Sequence, residues 1–173
     1  MPFTPFHLGP GLLLGLLLLS YIDLPTFLLA SVIVDIEPFL VLYFNLQYSL
    51  HGFLHTFLGG TLIAFLLTAL MSKLRNTLSS LMSFFRIKQK PTFRGILLAS
   101  LFGVYLHVFL DSFLYQDIRP FCPFDLNPLL SQSMFIGFEI YGLCVLSFIC
   151  GVVVYVLKLY SWRRLRAEGV LDE

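Results

Sequence analysis

Long apolar stretches separated by short polar connections dominate the chain. A helix that crosses a membrane needs about 20 mostly apolar residues. Five stretches reach or approach this length, the first being the shortest: residues 8–22, 24–44, 50–71, 95–115 and 132–162. The pattern therefore predicts an all-α fold, a polytopic membrane bundle of about five transmembrane helices. Residues 1–173 show no internal repeat and no second domain.

The composition supports a membrane protein. Hydrophobic residues make up 58% of the chain and charged residues only 12%, with a mean hydropathy of +0.88. Soluble domains carry about 25% charged residues. These values exclude a disordered chain and a nucleic-acid binder with a basic surface, and they argue against a free soluble domain. Because no lysine or arginine precedes the first apolar stretch, we expect it to remain as a helix and not to be a removed signal peptide.

Positive charge is concentrated in two places, the connection at residues 73–94 and the end of the chain. Loops rich in lysine and arginine face the cytoplasm. Five helices place both clusters on one side, so we predict a multi-pass cell-membrane protein with its C-terminus in the cytoplasm. The N-terminus and the loop 116–131 then face outward. The basic residues are Lys73, Arg75, Arg86, Lys88, Lys90 and Arg94 in the connection, and Arg163, Arg164 and Arg166 at the end.

All four histidines and several carboxylates lie in or beside the apolar stretches. Ionisable groups inside a membrane cost about 2.5–3.5 kcal/mol each and mark functional sites. Helix rise puts those inside the stretches between about 6 and 13 Å below the outer helix ends, in one layer. Imidazole and carboxylate are the ligands of zinc and similar ions. We expect a divalent metal, zinc first and manganese second, with one or two ions bound. The candidate metal ligands are His7, Asp35, His51, His55, His107 and Asp111.

The sequence spacing within two pairs of these residues indicates which side chains share a helical face. His51 and His55 are four residues apart, as are His107 and Asp111. Within a helix this spacing puts both members of a pair on one face. The competing interpretation of His107 with Asp111 is a buried hydrogen-bonded pair without a metal.

A second carboxylate follows the candidate ligand Asp35. Glu37 is two residues further on, which in a regular helix points about 200° away. Pro38 removes a backbone donor and disfavours helical geometry at the preceding residue, so we expect the helix to kink or unwind here. Glu37 would then be a second ligand or a general base. Glu139, about 10 Å below the start of the last stretch, is the other candidate base.

The motifs resemble those of the LexA-regulated, or YdjM-like, family of membrane-bound metal-dependent hydrolases. The resemblance covers about residues 1–125 in order and implies a metal-dependent hydrolase. It departs from the family pattern at Glu37, where the family usually has aspartate, and at the two middle histidines, which are four apart instead of five. The matching elements are His7, Val34-Asp35-Ile36-Glu37-Pro38, His51-Gly52-Phe53-Leu54-His55-Thr56, His107-Val108-Phe109-Leu110-Asp111-Ser112 and the loop from Ile118 to Phe124.

The order of ligands is also similar to part of the metal core of zinc-dependent phospholipase C. That resemblance implies that Asp111 bridges two ions, the second of them held with His7. The later ligands of those enzymes have no counterpart here, so a three-metal site is not supported.

The predicted reaction is hydrolysis of a lipid or lipid-linked phosphoester at the outer leaflet. The expected partners are a lipid-like substrate and the surrounding membrane lipids. Arg119 in the outer loop would orient the phosphate. Hydrolysis of a lipid amide stays open. The alternatives from another class are a non-catalytic, metal-stabilised membrane protein and a divalent-cation carrier. The sequence contains no His-Glu-x-x-His and no Gly-x-Ser-x-Gly motif, and it leaves the oligomeric state open.

Overall fold

The computed structural model describes residues 5–87, 89–90 and 92–167, without the side chains of residues 165–167. Every regular element in this part of the chain is helical, which confirms the predicted all-α class. The helices are α1 (Leu8–Leu17), α2 (Leu24–Ala30), α3 (Ile36–Tyr43), α4 (Phe57–Leu74), α5 (Ser79–Phe84), α6 (Phe93–Ser112) and α7 (Ile136–Ala167). Three short 3₁₀ turns, Pro5–His7, Ile33–Asp35 and Phe53–His55, precede α1, α3 and α4.

Four segments of the described chain are long and apolar enough to cross a membrane: Leu24–Tyr43, Phe57–Leu74, Phe93–Ser112 and Ile136–Arg164. The first predicted helix is a shorter apolar segment, Pro5–Leu17. At 13 residues it extends about 20 Å, less than the ~30 Å hydrocarbon core. The described chain thus has four candidate spans and one shorter apolar segment, besides the six-residue helix α5.

The first predicted helix ends early because Asp23 begins the next one. Its carboxylate accepts hydrogen bonds from the Thr26 backbone N–H at 3.3 Å and from the Thr26 hydroxyl at 2.6 Å. This is an N-cap, which satisfies a free donor of the first helical turn. The chain turns between Leu17 and Leu24 instead of continuing as helix to residue 22.

The third predicted helix begins seven residues later than expected. Thr56 caps α4 by accepting a hydrogen bond from the Gly59 N–H at 2.9 Å, so residues 50–56 form turns before the helix. The expectation that His51 and His55 share one helical face is therefore wrong. The fourth predicted helix starts at its own cap, Thr92, which accepts from Gly95 N–H at 3.0 Å.

Close backbone contacts hold the bundle together where α1 packs on α7 and where α2 and α4 pack on α6. A Cβ at Gly9 would lie 2.1 Å from the Cys144 carbonyl oxygen, and one at Gly103 would lie 2.5 Å from the Cβ of Ala30. Glycine at these two positions allows the helices to approach closely. The central core contains Ala30, Val34, Ala64, Leu67, Met71, Ile96, Val104 and Val108.

The basic residues lie together at one end of the bundle, called here the basic end. The Arg86 guanidinium lies 4.5 Å from the centre of the Trp162 ring near the end of α7. Arg75 is buried and its Nε donates to Asp23 Oδ1 at 2.5 Å. The basic connection and the end of α7 therefore lie on the same side, as predicted; that this side faces the cytoplasm stays a prediction. Lys88 and the Arg166 side chain lie outside the described residues.

Candidate metal centre

Asp35 comes from the interruption between α2 and α3. The chain leaves α2 after Ala30, makes the 3₁₀ turn Ile33–Asp35 and restarts as helix at Ile36. Pro38 falls in the first turn of α3, where its missing N–H has no helical partner to lose. The span is interrupted, but at residues 31–35, before the predicted position; Glu37 and Pro38 themselves are helical. The interruption leaves the Asp35 carboxylate buried beside α6.

Two further elements bring three side chains to Asp35. His107 and Asp111 lie one turn apart near the end of α6, as their spacing predicted. His55 ends the 3₁₀ turn before α4. All four side chains are buried, with 0–3% of each residue exposed. These four residues are called the Asp–His cluster below.

The four side chains point one ligand atom each toward a common centre. Asp35, His55, His107 and Asp111 offer atoms that all lie within 4.8 Å of one another. Nε2 of His107 is 3.2 Å from Asp111 Oδ2 and 3.5 Å from Asp35 Oδ1. Nε2 of His55 is 3.9 Å from Asp35 Oδ1 and 4.0 Å from Asp111 Oδ2. Neighbouring ligands of a tetrahedral zinc ion are about 3.4 Å apart, so the spacing is close to that of a metal site.

The same four atoms are left without hydrogen bonds. Asp35 Oδ1, His55 Nε2, His107 Nε2 and Asp111 Oδ2 are buried, and none has a hydrogen-bond partner among the described residues. Buried polar atoms are nearly always satisfied, and each exception costs about 1–3 kcal/mol or more. A cation at the centre would satisfy all four at once, so the residues fit a metal.

The opposite nitrogen of each cluster histidine is held by an oxygen acceptor. His55 Nδ1 lies 2.9 Å from Glu37 Oε2, and His107 Nδ1 lies 2.8 Å from the Ser31 carbonyl oxygen. A proton on Nδ1 leaves the Nε2 lone pair directed at the centre, which is the usual arrangement of metal-bound histidine.

Glu37 supports the cluster from outside it. Besides His55, its carboxylate accepts hydrogen bonds from the Gly52 and Leu54 backbone N–H groups at 3.0 and 3.1 Å. These contacts fix the turn that carries His55. The Glu37 oxygens thus hold a candidate ligand histidine and a loop, which is a supporting role that the sequence did not indicate; the predicted role of Glu37 as second ligand or base stays a prediction.

His7 contacts the cluster without belonging to the four. Its Nε2 lies 3.0 Å from Asp111 Oδ1, the oxygen that faces away from the centre, and its ring lies 4.1 Å from the His107 ring. His7 Nδ1 is buried and has no hydrogen-bond partner within the described chain. His7 thus orients Asp111; its predicted participation in a second ion stays a prediction.

His51 lies beside the cluster and is fixed by Asp117. Asp117 Oδ1 lies 2.9 Å from His51 Nδ1, and Asp117 Oδ2 accepts from the His51 backbone N–H at 3.1 Å. The His51 ring meets the His55 ring edge-on at 4.8 Å. Burial and the nearby His55 lower the pKa of His51, against the opposing effect of Asp117. His51 is therefore a neutral ring whose Nε2 is buried and has no hydrogen-bond partner in the described part of the chain.

Two tyrosines and a phenylalanine lie beside His51, at the end of the bundle opposite the basic end. Tyr115 stacks on His51 at 4.2 Å, its hydroxyl lies 3.3 Å from that of Tyr141, and Phe6 packs on Tyr141 at 5.1 Å. Burial, the Tyr141 hydroxyl and the Asp111 charge raise the pKa of Tyr115. The Tyr115 phenol therefore remains protonated and can donate a hydrogen bond.

Two predicted catalytic residues do not reach the cluster. Arg119 bonds Asp125 and the carbonyl oxygens of Gln116 and Ile118, and 43% of its side chain is exposed. Glu139 is exposed, because it lies two residues before Tyr141 and therefore points about 200° away from it. Their predicted roles in orienting phosphate and taking a proton are not supported by these positions.

Sequence reasoning missed the residues that position the histidines. Ser31 contributes only a carbonyl oxygen, so its side chain gave no signal. Asp117 is 66 residues from His51, in a loop with no periodicity to relate them. The sequence contained one indication of Asp117: it is an aspartate that closely follows the helix with His107 and Asp111.

A model of one protein family, described as YdjM inner membrane protein, matches residues 1–169. No curated protein and no solved structure matches the chain.

Proposed function

This chain belongs to the YdjM inner membrane protein family, and from the Asp–His cluster we propose that it is a membrane-embedded, metal-dependent hydrolase. Its substrate would be a lipid or a lipid-linked phosphoester. The observation that carries the proposal is the set of four buried ligand atoms without hydrogen bonds. A purely structural network would pair these atoms with one another or with the backbone.

The donor set favours zinc, with manganese as the alternative. Two imidazoles and two carboxylates match the usual ligands of catalytic zinc, and carboxylate oxygen is also accepted by manganese. When bound, such an ion lowers the pKa of a water molecule and polarises a phosphoryl or carbonyl oxygen.

The residues around the cluster supply the remaining functions. His7 and Glu37 hold Asp111 and His55 in place through direct contacts. His51 Nε2 is free to accept a hydrogen bond from a water or a substrate hydroxyl, and the protonated Tyr115 can donate one to a phosphate oxygen. The cluster residues are buried from bulk water, which strengthens polar contacts made there.

The lipid-like substrate is inferred from the position of the cluster among helices with exposed apolar side chains. His107 and Asp111 lie on α6, and Asp35 directly precedes α3. Both helices carry exposed apolar side chains: Phe39, Phe102 and Phe109 are 43–60% exposed. A substrate with acyl chains can approach such a surface from within the bilayer, with its ester near the cluster.

The test is hydrolysis by the purified, metal-loaded protein in liposomes that contain phospholipids or lipid phosphates. We expect release of phosphate or headgroup by the wild-type protein and a loss of at least about 100-fold in Asp35→Asn. Asp125→Asn is the matched control, because Asp125 is an exposed loop carboxylate outside the cluster. Turnover that survives in Asp35→Asn would contradict the proposal.

A second candidate is a non-catalytic protein that a metal stabilises, and the complete burial of all four ligand residues favours it. A closed structural site has four protein ligands and no water position. A wild-type protein that holds metal tightly but hydrolyses none of these lipids would support this alternative over the enzyme.

A further inference from the structure

A small cavity at the basic end is separate from the Asp–His cluster and has different chemistry. Its volume is about 200 Å³, and it lies between the end of α1, the last turns of α7 and the residues after α5. Leu16, Leu19 and Leu159 form an apolar wall, while Arg86 and Lys158 contribute two positive charges.

Within the described residues, neither cation at this cavity has an acidic partner. No acidic residue of the described chain lines the cavity, and among the same residues neither Arg86 nor Lys158 forms an ion pair. Asp23, a carboxylate at this end of the bundle, is already bonded to Arg75 and Thr26. Two like charges at one small cavity repel each other unless an anion lies between them.

The end of α5 holds Arg86 against α7. Its φ is 55°, in the left-handed region that glycine favours and that other residues rarely adopt. The Tyr155 hydroxyl donates to the Phe85 carbonyl oxygen at 2.9 Å, and the Arg86 guanidinium lies over Trp162 at 4.5 Å. The Arg86 backbone is an ordinary left-handed helix end: the Ile87 N–H donates to the Met82 carbonyl oxygen at 3.0 Å and the Arg86 N–H to that of Ser83 at 2.9 Å. The cap fixes the backbone from which the Arg86 side chain reaches α7.

The α7 side of the cavity is one helical face. Tyr155, Lys158, Leu159 and Trp162 follow the spacing of three and four residues that aligns side chains on a helix. Tyrosine and tryptophan are the residues that lie at the headgroup level of a membrane. The face therefore combines an interfacial aromatic pair with a cation and an apolar wall.

We propose that this cavity binds the phosphate headgroup of an anionic phospholipid from the leaflet at the basic end. The Arg86 guanidinium matches phosphate geometry with two parallel hydrogen bonds, and Lys158 adds a point charge. Leu16, Leu19 and Leu159 contact the upper acyl chain. This apolar wall, beside helices that cross the membrane, favours a lipid over free phosphate as the occupant. The proposal does not depend on the hydrolase function.

The test is native mass spectrometry of the full chain in detergent, titrated with phosphatidylglycerol or with phosphatidylcholine. We expect one phosphatidylglycerol to bind in preference to phosphatidylcholine. Its affinity should fall about fivefold for each charge removed in Arg86→Gln and Lys158→Gln. Lys73→Gln, which removes an exposed charge from the same end but outside the cavity, should keep the wild-type preference.

Several results would overturn the proposal. These are equal binding of the two lipids, an unchanged preference in both variants, or an equal loss in Lys73→Gln. Displacement of the lipid by millimolar inorganic phosphate would show a free-anion site instead. Lys158 is exposed on α7, so its substitution tests the proposal even if Arg86→Gln fails to fold.

Discussion

At the scale of single residues, the centre depends on which atom of each side chain faces inward. Both cluster histidines have Nδ1 fixed by an oxygen, at 2.9 and 2.8 Å, and both leave Nε2 for the centre. Measurements can therefore distinguish the roles of Glu37 and His51. Glu37 supports the candidate ligand His55, whereas His51 lies next to the cluster without belonging to it.

Glu37→Gln should weaken metal binding without removing it. An outer carboxylate on a ligand histidine typically contributes about 10- to 100-fold in metal affinity. Competition with a chelator of known affinity measures this change. Unchanged metal affinity combined with complete loss of turnover would instead return Glu37 to the predicted role of base.

His51→Ala should retain the metal and lose turnover. Its Nε2 is outside the four-atom cluster, so stoichiometry should stay at the wild-type value while hydrolysis falls by about 100-fold or more. Metal content and hydrolysis are measured on the same preparation. If the metal is lost as well, His51 is a ligand, as the sequence predicted.

At the scale of helices, the position of the cluster depends on how closely α2 and α6 approach. Gly103 lies one turn before His107, and a Cβ there would also come within 2.9 Å of the Phe27 carbonyl oxygen. That contact sets the distance between the helix that carries His107 and the chain that leads to Asp35.

Gly103→Ala should destabilise the protein by about 1–3 kcal/mol through overpacking and should also weaken metal binding. Gly142→Ala is the matched control, since nothing lies within 4 Å of a Cβ there, and alanine improves helix propensity by up to ~1 kcal/mol. Thermal unfolding in detergent measures the stability of both variants. A Gly103→Ala variant as stable as Gly142→Ala would show that the helices separate without cost.

At the scale of the whole molecule, sidedness is the expectation that needs a direct test. We expect Asn76→Cys to be protected from a membrane-impermeant thiol reagent in intact cells and Ser133→Cys to react, in a background without the native cysteines. Both positions are exposed, at opposite ends of the bundle. The reverse labelling pattern would invert the orientation predicted from the basic residues.

Much of this architecture could be predicted because the bilayer constrains it. The lengths of the apolar stretches predicted the helical class and the approximate spans. The four-residue spacing of His107 and Asp111 predicted that they share one helical face. The turns could not be predicted as well. Hydropathy does not distinguish the loop at residues 50–56 from helix, so the caps at Asp23 and Thr56 shifted two boundaries. The partners Asp117 and Ser31 depend on tertiary packing between distant segments, which no local pattern encodes.

Metal content per chain decides whether the Asp–His cluster holds a divalent ion. Elemental analysis of the detergent-purified protein, prepared without chelator and reloaded, should give one or two equivalents of zinc or manganese in the wild type. Asp35→Asn and His107→Ala should lose the cluster ion, while Asp125→Asn keeps the wild-type content. A folded wild-type protein that binds no divalent metal under these conditions would contradict metal binding by the cluster and leave it as a buried polar network.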